Sequence, residues 1–343
     1  MPSSSPSPGS PGPVLARLAP WPLLLSAVLL SSSGVGLTGC GAAYSTLQPG
    51  KVTPRGAVRA QAGAAFGAAP GQIIDLYDAG EEAADGLVGY LATGDRGACD
   101  AGSDKSGCIT AQDLAPVLDA VALQVAAPAA SADVLFGMRY GLLPRTDIGI
   151  RYGVSGWLVD SRVQVLGDPE VTGPGRSTQL SLGLGVGRKS FEYPSYLGKV
   201  AEYLGLDDNY RWDFRFPVIG SLRFGEFGYL YGGAGYILSR WHFDLDPDFA
   251  YIDYLPDGSL ADTAQEIEDS FRDATAKTFA GTDTDGYIHQ VTGLLGGMLG
   301  YKYLYVGVEL NIIRYWYSLS ILHQEKSHSG FIFYPAVTLM GEF

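Results

Sequence analysis

The sequence predicts an all-β fold, an antiparallel transmembrane β-barrel of about ten strands, with eight to twelve compatible with the same pattern. Ten separate runs alternate apolar and polar side chains, the period of a strand with two different faces. The 343 residues include 47 Gly and 21 Tyr, and 46% are hydrophobic. Beyond the first forty residues, no apolar segment reaches the length of a membrane-spanning helix. A closed barrel reconciles these facts, because its strands are apolar only at alternate positions.

The alternation divides each run into a lipid-facing set and a lumen-facing set. In 214–224, Phe214 and Phe216 share one face and Arg215 lies on the other. The predicted strands are 57–66, 133–142, 147–154, 157–166, 178–187, 214–224, 228–241, 287–301, 304–312 and 331–343. Each is long enough to cross the apolar band of an outer-membrane barrel at the usual tilt.

The links between these runs predict the orientation of the barrel. Tight links at 143–146, 225–227 and 302–303 are typical of periplasmic turns. Longer links are typical of extracellular loops, and we expect short helices within them. These links are the insertion 67–132, the segment 188–213, the acidic loop 242–286 and the segment 320–330.

The first forty residues predict export. Residues 1–39 hold Arg17 as their only charge and an apolar stretch over 18–30, the order of a secretory signal peptide. The segment Leu37-Thr38-Gly39-Cys40 resembles the lipobox of bacterial lipoproteins. The resemblance implies a diacylglycerol on Cys40, a lipidated linker over 40–53, a barrel over 54–343, and anchoring in the outer membrane of a Gram-negative bacterium. An even strand count then places tether and C-terminus on the periplasmic side. The alternative is a signal-anchor helix followed by an ordinary cysteine.

The last run ends on Phe343. It resembles the terminal signature strand of outer-membrane barrels, which implies recognition by the barrel-insertion machinery. A soluble β-sandwich could also end on a strand, but it would need neither this aromatic terminus nor interfacial aromatic girdles. The predicted girdle residues are Trp157, Tyr229, Trp241, Tyr301, Tyr303 and Trp316.

Charged residues in the predicted strands keep an inward phase. They are Arg59, Arg139, Arg151, Asp160, Arg162, Arg215, Arg223 and Glu309. Two hypotheses remain open: an ion-pair network that fills a narrow lumen, or an Arg-lined path that selects anions. The net charge of −13 gives no reason for a nucleic-acid partner.

The first long link contains two candidate features. Cys99 and Cys108 are expected to form a disulfide in an oxidising compartment, with two unpaired thiols as the alternative. The adjoining segment resembles an EF-hand loop, and this implies a calcium site, although Gly102 stands where the first Asp belongs. The implied ligands are Asp104, Ser106, Thr110 and Asp113. The alternative is a turn followed by a helix that Thr110 caps.

His242, Asp244 and Asp246 alternate at the outer end of a predicted strand. The set is similar in kind to the catalytic His and Asp groups of omptin proteases, which are ten-stranded outer-membrane barrels, and this implies a hydrolase. A histidine at the level of the girdle is the alternative.

The leading hypothesis is a non-enzymatic outer-membrane lipoprotein barrel with a structural, adhesive or narrow solute-passing role. A surface protein that binds cations or ligands through 99–113 and 242–286 is the second, and the hydrolase is the third. No cofactor other than calcium is implied.

Overall fold

A computed structural model describes residue 45 and residues 47–69, 130–170, 175–190, 210–242, 285–301, 303–321 and 324–343. These residues form ten strands. They are β1 (Val58–Ala68), β2 (Ala130–Leu143), β3 (Thr146–Gly153), β4 (Gly156–Leu166), β5 (Arg176–Ser190), β6 (Tyr210–Phe224), β7 (Gly228–His242), β8 (Asp285–Tyr301), β9 (Leu304–Ile321) and β10 (Gln324–Glu342). Within this part of the chain, no helix is long and apolar enough to cross a membrane.

Each strand pairs antiparallel with its neighbours in sequence, and β1 also pairs with β10, which closes the barrel. At the closure, Ala62 lies opposite Leu339 on one side and Phe136 on the other. Closure leaves no unpaired edge, so backbone polar groups are satisfied within the wall. The predicted fold class, a closed antiparallel barrel of about ten strands, is confirmed.

The largest departure from the predicted strands is the last hairpin. β9 continues to Ile321 and β10 begins at Gln324, so the predicted loop over 320–330 is instead two long paired strands. In the N-terminal part of β10, the outward positions hold Glu325, Ser327 and Ser329 rather than apolar residues. The alternation between apolar and polar residues is therefore lost there, although the backbone pairing with β9 continues.

The two rims of the barrel differ. One rim, called the turn rim here, carries the links 144–145, 167–175, 225–227 and 302–303 and the C-terminal Phe343. The opposite rim, called the loop rim, carries the links 69–129, 191–209 and 243–284 together with two short ones. One short link, 154–155, is followed by Gly156, the first residue of β4. Its φ of +149° and its close approach to the Arg188 carbonyl favour glycine at this position. The predicted helices of the longer links lie outside the described residues.

The outward face of the wall is an apolar belt. Every strand from β2 to β10 contributes large hydrophobic side chains that are more than a third exposed. Examples are Phe136, Ile150, Val163, Leu184, Phe216, Leu230, Leu295, Val308 and Val337. Patches of this extent are unusual on a water-facing surface, whereas a hydrocarbon environment accommodates them.

The inward face is buried. One side of the lumen holds an apolar cluster that includes Tyr229, Tyr231 and Met298, and the rest is dominated by charged groups. Tyr229 and Trp241, predicted as girdle residues, are 4% and 2% exposed. Their neighbours Leu230 and Arg240 face outward, so the alternation of β7 turns both rings into the lumen. The girdle assignment of these two residues is wrong.

Candidate functional site

The most extensive charged cluster of the lumen joins β2, β3 and β4. The Arg139 guanidinium lies 2.6 Å from a carboxylate oxygen of Asp147 and 2.6 Å from one of Asp160. Arg162 also reaches Asp147, at 3.0 Å, and Arg151 reaches Asp160, at 3.2 Å. The five residues alternate in sign, so each carboxylate has two guanidinium partners, the arrangement that a buried ion requires.

A glycine makes room for this cluster. Gly149 lies opposite both Arg139 and Asp160 in the register of the sheet. A Cβ at Gly149 would approach Arg139 Nη1 to 2.7 Å and Asp160 Oδ1 to 2.8 Å. The small residue therefore lets the two side chains meet across β3.

A second cluster lies near the turn rim. Glu342 accepts from Lys51 Nζ and from Arg59 Nη2, each at 2.8 Å, and Arg223 is buried on the same side. Burial lowers the pKa of the Lys51 ammonium below its ordinary value of 10.5, although Coulombic attraction to Glu342 opposes the shift.

A third cluster lies towards the loop rim and centres on Asp213. Its carboxylate is 2.8 Å from Arg211 and 3.0 Å from Arg215, accepts from Ser239 at 2.6 Å, and lies 3.9 Å from Lys189. This end of the lumen thus contains more cations around one carboxylate than the β2–β4 cluster does.

Residue 45 and residues 47–57, called the strap here, run from the lumen to the turn rim, with 45 and 47–53 buried and Arg55 and Gly56 exposed. At the turn rim, Arg55 forms a bridge with Gly141, and Val58 N donates to the carbonyl of Phe343 at 2.9 Å. From that rim the strap enters the lumen, where Thr53 meets Asp147 at the start of β3 and Ser45 meets Glu309 and Arg151 farther in. The chain therefore runs away from the turn rim as its residue numbers fall.

Lumen side chains bind the backbone of the strap. The amides of Leu47 and Thr53 donate to the carboxylates of Glu309 and Asp147, each at 2.8 Å, and that of Val52 donates to Gln164 at 3.0 Å. Since a buried strap has no neighbouring strand, these side chains replace the ladder partners it lacks.

The strap's carbonyl groups are bound in the same way, by arginines. Arg151 donates to the Ser45 carbonyl at 2.7 Å, Arg162 to that of Pro49 at 2.9 Å, and Arg59 to that of Lys51 at 3.0 Å. The inward arginines therefore serve two purposes, because they pair with carboxylates of the wall and hold the strap.

Two strap residues fit the lumen closely. A Cβ at Gly50 would lie 2.4 Å from the carbonyl oxygen of Ile219, so only glycine passes β6 at this distance. Leu47 is 1% exposed and has a φ of +47°, which is unusual for a leucine. Its amide bond to Glu309 and the packing of its side chain hold this conformation.

The structure places all eight predicted lumen residues on the inward face. Arg59, Arg139, Arg151, Asp160 and Arg162 contact the strap or its partners directly. Arg215 belongs to the Asp213 cluster, Arg223 lies near Lys51, and Glu309 binds Ser45 and Leu47. Sequence analysis missed the strap and the acids Asp147, Asp213 and Glu342. The inward phase of these three acids could have identified them, but nothing in Leu47-Gln48-Pro49-Gly50 distinguishes a buried strap from a linker.

The other predicted sites lie outside the described residues, with one exception. His242 ends β7, where its ring lies 5.1 Å from that of Tyr210 and its backbone pairs with Asp285. The undescribed ones are Cys40, Cys99, Cys108, Asp104, Ser106, Thr110, Asp113, Asp244 and Asp246. Within the described part, no three His, Cys, Asp or Glu side chains are grouped so that they could hold a metal ion.

No protein-family model matches the chain, and no curated protein matches it significantly. Three solved structures are similar in fold. Ail, the attachment invasion locus protein of Yersinia pestis, is 8% identical with a TM-score of 0.26, over 84% of this chain and 99% of that chain. The outer membrane protein OprG from Pseudomonas aeruginosa is 10% identical with a TM-score of 0.29, over 86% and 97%. The outer membrane protease OmpT from Escherichia coli is 10% identical with a TM-score of 0.29, over 85% and 97%. Similarities of this size give no indication of activity.

Proposed function

We propose that the protein is a bacterial outer-membrane β-barrel whose lumen is sealed by its own strap. It acts as a non-enzymatic scaffold that holds the connections 69–129, 191–209 and 243–284 at the cell surface, and not as a solute channel. The observation that carries the proposal is the set of hydrogen bonds between the strap backbone and lumen side chains.

The distribution of these contacts supports sealing. Their partners come from opposite parts of the wall: Gln61 on β1, Asp147 on β3, Gln164 on β4 and Glu309 on β9. A ten-stranded barrel has a narrow interior that side chains nearly fill. A strap bound from several sides removes the remaining path, and the inward arginines then serve as partners for the strap rather than as the lining of an anion path.

The asymmetry of the rims supports the outer-membrane placement. Short turns on one side and longer connections on the other are typical of bacterial outer-membrane barrels, with the longer ones extracellular. The signal peptide over 1–39, the C-terminal aromatic residue Phe343 and lipid attachment at Cys40 belong to the same proposal.

Conductance in planar bilayers tests the sealing. The purified full chain is expected to give no current steps, whereas a chain that lacks residues 45–53 should conduct. A locked form provides the matched control. Gln48 Nε2 lies 2.6 Å from Gln61 Oε1, so Gln48→Cys and Gln61→Cys, joined by a short bifunctional thiol cross-linker that replaces the length of the two glutamine side chains, tie the strap to β1. The locked form should stay silent.

Equal current steps from the full chain and from the locked form would overturn the proposal. Should the shortened chain fail to fold, as judged by its gel mobility before and after heating, the comparison of the full and locked forms still decides.

The tether is tested separately. Incorporation of an alkyne-labelled fatty acid into the protein should be lost in Cys40→Ala. Equal incorporation in the unchanged chain and in Cys40→Ala would contradict lipid attachment at this residue.

A further inference from the structure

Five outward residues form one row near the loop rim, called the rim row here. The register pairs Trp157 with Arg188, Arg188 with Trp212, Trp212 with Arg240, and Arg240 with Tyr287. The row crosses β4, β5, β6, β7 and β8 without interruption, and aromatic rings alternate with arginines along it.

Contacts between neighbouring side chains order this row. The Arg188 guanidinium lies over the ring of Tyr210, 4.9 Å from its centroid, and the Trp157 and Trp212 rings meet edge to face at 5.8 Å. Stacking on a ring occupies the face of a guanidinium and leaves its N–H edge available for an oxyanion. Arg188 and Arg240 are separated by one strand, so they lie about 10 Å apart.

The position of the row along the strands indicates its environment. On β5, β6 and β7, the next outward residues towards the middle are Val186, Phe214 and Leu238. The next ones towards the rim are Ser190, Tyr210 and His242, which are polar or amphipathic. Apolar, mixed and polar side chains thus follow one another, as they do across the boundary between hydrocarbon and headgroups.

Among the described residues, the outward charges at this boundary are mainly positive. Arg240 pairs with Asp285 at 3.8 Å, and both side chains are about half exposed. An exposed pair at this distance contributes little, so it does not remove the attraction of Arg240 for other anions. An outward arginine is costly at the bilayer midplane, but at headgroup depth it can meet phosphate.

We propose that the rim row is a binding site for phosphate-bearing lipid headgroups of the outer leaflet, with Arg188 and Arg240 binding the phosphate oxygens. The proposal rests on the outer-membrane placement above. Trp157, Trp212 and Tyr287 occupy the headgroup level between and beside the two guanidinium groups and orient them, because aromatic side chains with polar groups favour this depth.

The test uses the full chain in phosphatidylcholine nanodiscs, titrated with a bis-phosphorylated glycolipid and with the same lipid after removal of its phosphates. Bound lipid is counted by native mass spectrometry. The phosphorylated lipid should bind and the dephosphorylated one should bind far more weakly. In Arg188→Gln with Arg240→Gln, affinity should fall about thirtyfold, since each arginine near the surface contributes a factor of roughly five to six and the two factors multiply.

Two further variants make the test specific. Arg176 is also an outward arginine stacked on a ring, 5.8 Å from the centroid of Phe224, but it lies near the turn rim. Arg176→Gln should leave the affinity unchanged. Asp285→Asn should raise it, because the carboxylate that competes for Arg240 is removed.

The outcomes separate this proposal from the placement on which it rests. If the folded chain is washed from vesicles by alkaline carbonate, the membrane placement fails. If it stays inserted while the double variant binds the phosphorylated lipid as tightly as the unchanged chain, the headgroup site alone is overturned. Competition by inorganic phosphate at the same concentration as the lipid would also overturn it, by indicating a site for the soluble ion.

Discussion

The two faces of β9 lie in different environments, and neighbouring residues on this strand differ accordingly. Val308 and Leu310 point outward and are 60% and 44% exposed, whereas Glu309 and Asn311 point inward and are 3% and 1% exposed. The outward residues need only be apolar. Glu309, in contrast, accepts from Ser45, Leu47 and Asn311 at 2.7–2.8 Å, so its role depends on particular partners.

This difference indicates which positions of the barrel tolerate substitution. An outward side chain contacts lipid, and another apolar residue of similar size replaces it at small cost. An inward ion has lost its water, and removing one of its partners leaves an uncompensated charge. We therefore expect the largest effects inside the lumen and effects on the outer face only when charge is introduced.

The largest loss is expected for Asp147→Asn. The substitution keeps the size of the side chain but removes the charge that pairs with Arg139 and Arg162 and accepts from Thr53 N. The free energy of unfolding should fall by about 3–5 kcal/mol, the cost of breaking a buried ion pair. Urea titration of the folded chain in lipid vesicles, followed by tryptophan fluorescence, measures it.

Asp168→Asn is the control for this experiment. Asp168 is exposed in the link between β4 and β5 and accepts from the amide of Glu170 at 2.9 Å. A loss for Asp147→Asn no greater than that for Asp168→Asn would show that the lumen network does not stabilise the barrel.

The next largest loss is expected on the outer face, for Leu310→Arg. Leu310 lies near the middle of β9 and faces outward. An arginine there should cost about 2–4 kcal/mol of unfolding free energy in vesicles, because hydrocarbon does not solvate a guanidinium. The same titration checks this value.

Val154→Arg is the control for Leu310→Arg. Val154 lies at the loop rim, where it is 70% exposed in the β3–β4 turn. The substitution should cost at most about 1 kcal/mol, since charged groups are tolerated near the interface. Equal losses at the two positions would contradict the assignment of the apolar belt to the bilayer interior.

The same contrast explains how much the sequence could predict. The wall follows from alternation, which depends only on each residue and its neighbours in the chain, and so β4 and β8 are predicted to within two residues of their ends. The N-terminal part of β10, near the loop rim, is not predicted because Glu325, Ser327 and Ser329 lie beyond the apolar belt. The inward phase of Arg139 and Arg162 is predictable for the same local reason.

The strap is not predictable in this way. Ser45 and Glu309 are separated by 264 residues, and the contact depends on the closure of the barrel. Leu47-Gln48-Pro49-Gly50 has the composition of a turn or a linker, and its buried conformation depends on partners from β1, β3, β4 and β9. Local patterns indicate which face a residue occupies, but not which distant segment fills the space that the face encloses.

The smallest effect is expected from removing single hydroxyl groups, and it compares the two faces most directly. Ser45 Oγ donates to Glu309 at 2.8 Å inside the lumen, whereas Ser318 Oγ and Ser327 Oγ lie 3.1 Å apart on the exposed outer surface of the β9–β10 hairpin. Ser45→Ala should cost about 1 kcal/mol of unfolding free energy, because Glu309 loses a donor that water cannot easily replace. Ser318→Ala should cost less than about 0.5 kcal/mol, because solvent replaces the lost partner. Urea titration of both variants in the same vesicles measures the difference, and equal losses would mean that the strap is no more firmly held than an exposed hairpin.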